Sequence, residues 1–186
     1  MDNVFLPTDA FNYLSDGHVD VWFKRDALLR PQMRREFLNA IEDSGYSYDL
    51  VRKKDAELTI TEIDTIDPSN PYVTGRMTAY GDRAEIQVNL LEGKGKKQKR
   101  YNRFIANHEM GHALGLAHQF DTPVSDTVMN YPALDDIYRG KAANRLTPRD
   151  LYNTRNFSNY LTNGTDDPIT GEHYCNGSCT HAPRRR

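Results

Sequence analysis

The residues with the clearest chemical potential lie in the segment HEMGHALGLAH, residues 108–118, which holds three histidines and one glutamate. Because an α-helix turns once in about 3.6 residues, His108 and His112 would lie one turn apart on the same face of a helix. Two imidazole nitrogens at that spacing can bind one metal ion. The sequence therefore predicts a helix that supplies two ligands to a metal.

A third ligand and a general base can be assigned within the same segment. A catalytic zinc site has three protein ligands and leaves the fourth tetrahedral position to water. Gly115 can adopt the left-handed backbone that a turn back toward the ion requires, and His118 follows three residues later. Glu109 is the second residue of the H-E-x-x-H pattern, where a metallopeptidase keeps its general base. A purely structural zinc site has no use for this carboxylate, so the pattern favours a catalytic site.

The whole pattern, H-E-x-x-H-x-x-G-x-x-H, resembles the signature of the metzincin zinc peptidases. The segment VMNYP, residues 128–132, is similar to the methionine-bearing turn of that family, in which Met129 would form an apolar floor beneath the ligands. The resemblance covers residues 108–132 and implies a zinc endopeptidase with one catalytic Zn²⁺. Structural Ca²⁺ occurs in parts of this family, but the sequence has no clear Asp/Gly calcium loop.

The resemblance leaves the branch of the family open at Tyr131, two residues after Met129. In the astacin-like and serralysin-like branches, a tyrosine at this position can coordinate zinc and swing away to stabilise the transition state. The short spacing and Pro132 look more like the matrixin branch, in which this segment forms the wall of the S1′ pocket. Tyr131 is therefore a candidate catalytic residue on the first reading and a pocket residue on the second.

The elements around the motif follow from hydrophobic periodicity and capping residues. Alternating patterns predict strands at 18–24, 56–63 and 84–90, and the turn-rich segment DPSNPYVTG predicts a loop between the last two. Spacing of apolar residues predicts an amphipathic helix over Pro31–Asp43 and a motif helix that begins near Tyr101. A final helix is expected after Thr147, which suits the N-cap position.

The resemblance implies an α+β fold of metzincin type with a twisted, mainly parallel sheet. Its N-terminal subdomain, residues 1–118, would hold two helices, and a small C-terminal subdomain, residues 119–162, would hold one. Residues 163–186 would form a polar tail of the same catalytic domain. The strand AEIQVNL, residues 84–90, would be the exposed edge over the cleft that pairs with extended substrate. Ala133 and Leu134 would help to shape an apolar S1′ pocket.

Composition narrows the choice of partners. The formal net charge is −2, the pI is near 6.3, and no apolar run of about 18 residues suggests a membrane span. The basic segment KGKKQKR, residues 94–100, is expected to be a solvated loop. We therefore expect a monomer that binds a protein or peptide substrate in extended form, without nucleic acid or membrane. Two alternatives stay open: a dedicated processing peptidase or toxin with a single target, and a zinc-bearing binding protein that acts through residues 94–100.

The cellular compartment is indicated only weakly. The start of the chain lacks the basic and apolar segments of a secretory signal, and the two cysteines, Cys175 and Cys179, are too few for a disulfide framework. Secretion is expected because the family is usually secreted, and a cytoplasmic location is the alternative.

Overall fold

The computed structural model describes residues 5–6, 10–24, 31–70, 72–90 and 95–163, which form an α+β fold. The strands are β1 (His18–Phe23), β2 (Ser47–Leu50), β3 (Leu58–Glu62), β4 (Gly75–Ala79) and β5 (Ala84–Val88), and the helices are α1 (Pro31–Asp43), α2 (Lys96–Ala113), α3 (Leu134–Arg139) and α4 (Pro148–Asn163). None of the helices in these ranges is long and apolar enough to cross a membrane.

The five strands form one sheet in the order β2-β1-β3-β5-β4. The pairs among β2, β1, β3 and β5 are parallel, and only β4 is antiparallel to its neighbour β5. The mainly parallel sheet is thus confirmed, but the prediction that residues 84–90 form its edge is wrong. β5 lies between β3 and β4, so β4 is the edge strand on the side of the motif helix.

Two strands escaped the sequence analysis because their side chains give little hydrophobic contrast. β4 alternates Gly75, Met77 and Ala79 with two polar residues, and only Met77 in that set is a large apolar side chain. β2 is four residues long and mostly exposed. The other three strands carry alternating buried residues, among them Val21, Ile60 and Ile86, which are fully buried in the core.

Helices α1 and α2 pack against each other, and α2 also contacts β4 and β5. The predicted bounds of α1 are confirmed, but α2 begins at Lys96, earlier than the predicted start near Tyr101. Residues 96–100 of the basic segment are therefore the first turns of α2 and not a loop. Arg100 donates a hydrogen bond to the carbonyl of Tyr138, and the ammonium group of Lys97 lies over the ring of the same tyrosine.

After the motif the chain forms two helices, α3 and α4, where the sequence analysis predicted one. The prediction for α4 is confirmed at its start: the Thr147 hydroxyl accepts from the Asp150 N–H, and the Asp150 carboxylate accepts from the Thr147 N–H. This reciprocal pair is a capping box. The short helix α3 ends at Gly140, which has a left-handed backbone. Of the predicted polar tail, residues 163–186, Asn163 is the last residue of α4, and the rest, with its two cysteines, lies outside the described residues.

Candidate metal centre and active site

Helix α2 and the turn that follows it bring the three histidines together. His108 and His112 lie on the last turns of α2, which ends at Ala113. Gly115 has a φ of 89°, the left-handed conformation that the turn back requires, and His118 then returns toward the helix. Nε2 of His118 lies 2.9 Å from Nε2 of His112 and 3.3 Å from Nε2 of His108. One ring nitrogen from each histidine therefore points to a common centre.

The opposite ring nitrogens of the two helical histidines are held by backbone carbonyls. Nδ1 of His108 lies 2.7 Å from the carbonyl oxygen of Val128, and Nδ1 of His112 lies 2.8 Å from that of Leu116. A carbonyl can only accept, so each Nδ1 carries the proton and each Nε2 presents a lone pair to the centre. Burial also lowers the pKa of His108 to about 4, which keeps this imidazole neutral near pH 7.

These three residues fit a zinc ion. Tetrahedral coordination with Zn–N bonds of about 2.0–2.1 Å separates the ligand nitrogens by about 3.3–3.4 Å. The observed separations are 3.3 Å and 2.9 Å, close to that value. A cation at the centre would bind the Nε2 lone pairs of His108 and His112, whose protons lie on Nδ1. The donor set, all imidazole nitrogen, is one that zinc accepts in catalytic sites.

Glu109 is buried beside the histidines, with only 1% of its surface exposed. Burial raises the pKa of its carboxyl to about 8, partly opposed by the positive charge of Arg76. A cation at the histidine centre would act in the same direction as Arg76 and favour the carboxylate. The carboxyl packs against β4: a Cβ built onto Gly75 would lie 2.6 Å from Cδ and 2.7 Å from Cγ of Glu109.

Met129 lies in the turn below the motif helix and is fully buried. Its sulfur occupies the space beside Gly111, where an added Cβ would lie 3.3 Å from Cε and closer still to Sδ. The loop that carries Met129 is anchored by the buried Asp150, whose carboxylate accepts from the Thr127 hydroxyl at 2.6 Å and from the Val128 N–H at 3.0 Å. Asp150 thereby fixes the residue whose carbonyl holds His108.

Tyr131 covers the histidine centre from the solvent side. Its hydroxyl oxygen lies 2.7 Å from Nε2 of His118, and its ring contacts the rings of both His118 and His108. Phe120 stacks on the outer side of Tyr131 with a centroid distance of 5.5 Å. Both rings are exposed on their outer side and lie outside the core.

The structure thus collects five residues that the sequence analysis selected: His108, Glu109, His112, His118 and Tyr131. The other two residues named for the pocket lie just beyond them, Ala133 as the N-cap of α3 and Leu134 as its first, exposed residue.

Three residues with a clear part in the site were missed, namely Gly75, Gly111 and Asp150. Gly111 is visible inside the motif, and Asp150 is visible as a first-turn acidic residue of a predicted helix. Neither sequence position, however, reveals the contact that the residue makes across the molecule. Gly75 carried no signal beyond its place in a turn-rich segment.

A second group of possible ligands lies on the surface of β1 and β2. Nε2 of His18 lies 3.4 Å from a carboxylate oxygen of Asp20 and 3.7 Å from one of Asp49. Asp49 is largely exposed, and the group is typical of a surface ion pair.

No protein-family profile and no curated protein sequence matches the chain. Solved structures do resemble it. A chain of the GM1-bound form of the ECX AB5 holotoxin has a TM-score of 0.56 at 11% identity, over 84% of this chain and 92% of that one. Archaemetzincin (amzA) from Methanopyrus kandleri has a TM-score of 0.51 at 17% identity, over 76% of this chain and 96% of that one. Myroilysin has a TM-score of 0.41 at 15% identity, over 79% of this chain and 70% of that one.

These comparisons define a class at the level of the fold. The protein shares the fold of archaemetzincin, a metzincin-type protein by its name, and it carries a three-histidine cluster. At this level of identity the likeness extends to the fold alone.

Proposed function

We propose that this protein is a zinc-dependent endopeptidase of the metzincin type. The observation that carries the proposal is the convergence of three imidazole Nε2 atoms, two of them with Nδ1 held by a backbone carbonyl. A structural role would not require the buried carboxyl of Glu109 beside them. The shared fold with archaemetzincin agrees with the proposal.

In the proposed reaction, Glu109 transfers one proton from the attacking water to the leaving amine. When bound, zinc would acidify the attacking water and polarise the scissile carbonyl. The Glu109 carboxylate accepts the proton of that water and later delivers it to the amine nitrogen of the leaving fragment. The protein forms no covalent bond to the substrate in this route.

Tyr131 has two proposed roles, and its hydroxyl position supports one of them. The hydroxyl lies 2.7 Å from Nε2 of His118, so it would lie near the oxygen of a substrate carbonyl polarised by zinc at this centre. A donor at this place would stabilise the transition state, whereas a pocket wall would present the ring alone. We therefore expect Tyr131→Phe to lower kcat by about 10–100-fold and to change KM little.

Edge strand β4 is the proposed platform for substrate. Antiparallel strands bond through alternate residues. Thr74 accepts a backbone hydrogen bond from the residue after β5, and Tyr80 donates one to the residue before it. By this alternation Gly75, Met77 and Ala79 direct their N–H and C=O groups toward the open edge. Among the described residues no strand pairs with that edge, so an extended peptide could add there as another strand.

The test is cleavage of an unbiased peptide mixture by zinc-loaded wild type, with products read by mass spectrometry. Glu109→Ala should bind zinc and cleave nothing, because it loses the base and keeps all three histidines. His118→Ala should lose both zinc and cleavage. Near-normal turnover by Glu109→Ala would refute the assignment of the base.

The range of cut peptides also decides whether the enzyme is general or dedicated. The AB5 holotoxin chain shares the fold but, at 11% identity, gives no support for a toxin role here. Cuts at many sequences would indicate a general endopeptidase, and cuts at one sequence would indicate a single target. If wild type and Glu109→Ala both bind zinc and neither cleaves, the proposed endopeptidase function would fail.

A further inference from the structure

Gly75, the first residue of edge strand β4, leaves open the space that the Glu109 side chain fills. A Cβ added at Gly75 would lie 2.6 Å from Cδ and 2.7 Å from Cγ of Glu109, and nearer still to Oε1. Non-bonded carbon atoms do not approach closer than about 3.5 Å without repulsion. Any side chain at position 75 would therefore compete with the carboxyl of Glu109 for the same volume.

Backbone conformation does not explain a glycine at this position. The described glycines with a left-handed φ are Gly17, Gly45, Gly81, Gly115 and Gly140, and Gly75 is not among them. Gly75 has a regular strand backbone and pairs with Val88 of β5. Glycine in a strand often marks a place where another group approaches the backbone closely. The group that approaches is Glu109.

The packing around Glu109 makes this contact decisive for the position of the carboxyl. Glu109 is 1% exposed, and its Oε2 atom has no hydrogen-bond partner among the described residues. That oxygen is therefore placed by packing and not by a donor. Met77, on the same face of β4, is also buried, so the carboxyl cannot move along the strand into open space.

We propose that Gly75 is a positioning residue for the general base: its lack of a side chain lets Glu109 reach its place between helix α2 and the substrate edge. The inference rests on the proposed peptidase function. It ties two elements of the site together, because the residue that makes room for the base also offers its backbone groups to the peptide. Gly75 itself touches no reacting atom.

The first test is the activity of full-length, zinc-loaded Gly75→Ala. Its zinc stoichiometry should equal that of wild type, because the three histidines are untouched. We expect kcat to fall by about 100-fold or more, since a misplacement of about 1 Å has that effect, with a much smaller change in KM. Thr78→Ala is the matched control on the same strand, with its side chain on the opposite face, and should retain wild-type kcat.

The second test needs no activity and uses the melting temperature of metal-free protein. In the wild-type background, Gly75→Ala should lower Tm by about 3–10 °C through overpacking. In the Glu109→Ala background, the same substitution should not lower Tm, because the shortened side chain has vacated the space.

Either of two results would overturn the inference. One is wild-type kcat in Gly75→Ala, and the other is an equal loss of Tm in both backgrounds. A wild-type protein that cleaves no peptide would refute the proposed function instead, and the Tm comparison would still decide whether residues 75 and 109 compete for one volume.

Discussion

Replacing Asp150 should lower both the free energy of unfolding and the affinity for zinc, although Asp150 is not one of the candidate metal ligands. Its carboxylate accepts from the Val128 N–H, the Thr127 hydroxyl, and the N–H and hydroxyl of Thr147. In Asp150→Ala the buried Val128 donor loses its acceptor, which costs about 1–3 kcal/mol. Loss of the α4 capping box adds about 1 kcal/mol. The free energy of unfolding should therefore fall by about 2–4 kcal/mol.

Thermal unfolding and zinc titration measure the two effects of Asp150→Ala separately. For a protein of this size, about 2–4 °C is lost per kcal/mol, so Tm should fall by about 5–15 °C. Because Val128 holds Nδ1 of His108, zinc affinity should fall by about 10-fold or more. Asp150→Asn keeps the shape and an acceptor oxygen, so it should lose much less of both. Wild-type zinc affinity in Asp150→Ala would refute the argument that this carboxylate holds the Val128 carbonyl in place.

Three further outcomes are expected. Gly115→Ala would place a side chain on a backbone with a φ of 89°, with its Cβ 2.6 Å from Cζ of Phe157. Chemical denaturation should therefore show that the free energy of unfolding falls by more than about 2 kcal/mol. Gly17→Ala has a comparable φ of 76° and nothing within 4 Å, so its loss should stay near about 1 kcal/mol. Gly111→Ala should lower Tm in the wild-type background and lower it much less in a Met129→Ala background, because the added methyl group then meets no sulfur. A chelator should lower the Tm of zinc-loaded wild type. It should leave the Tm of His118→Ala unchanged, because that variant is expected to bind no zinc.

Sequence periodicity predicted the elements whose buried residues recur at helical spacing or at every second position of a strand. Helix α1 agrees with its predicted bounds because Met33, Phe37 and Ile41 repeat at helical spacing. β1 and β5 agree because alternate residues are buried. β4 fails the same rule because the residue that faces the base is a glycine, and α3 fails because only Ile137 is buried among its six residues. The periodicity of a sequence records large buried side chains, so an edge strand with only one of them, Met77, gives too weak a pattern to be recognised.

The error in the edge strand has a topological cause. Residues 84–90 precede the motif helix in sequence, and the prediction placed the substrate edge in the strand just before that helix. In the structure, β4 comes first in the chain and lies at the edge of the sheet, and β5 follows it and lies between β3 and β4. Order along the chain does not give order in the sheet, because two consecutive antiparallel strands are adjacent whichever of them lies at the edge.

In the site, the positions of the ligands could be predicted from the sequence, but the packing around them could not. Ligand positions follow from local geometry: one helical turn separates His108 from His112, and one left-handed glycine returns the chain to the third histidine. The supporting contacts are long-range, since Gly75 admits Glu109, Gly111 admits Met129, and Gly115 faces a ring on α4. Each of these glycines acts through a missing side chain, and a missing side chain has a function only relative to its three-dimensional neighbour. A related chain with a larger residue at position 111 should therefore carry a smaller residue at position 129, because both side chains would occupy the same space.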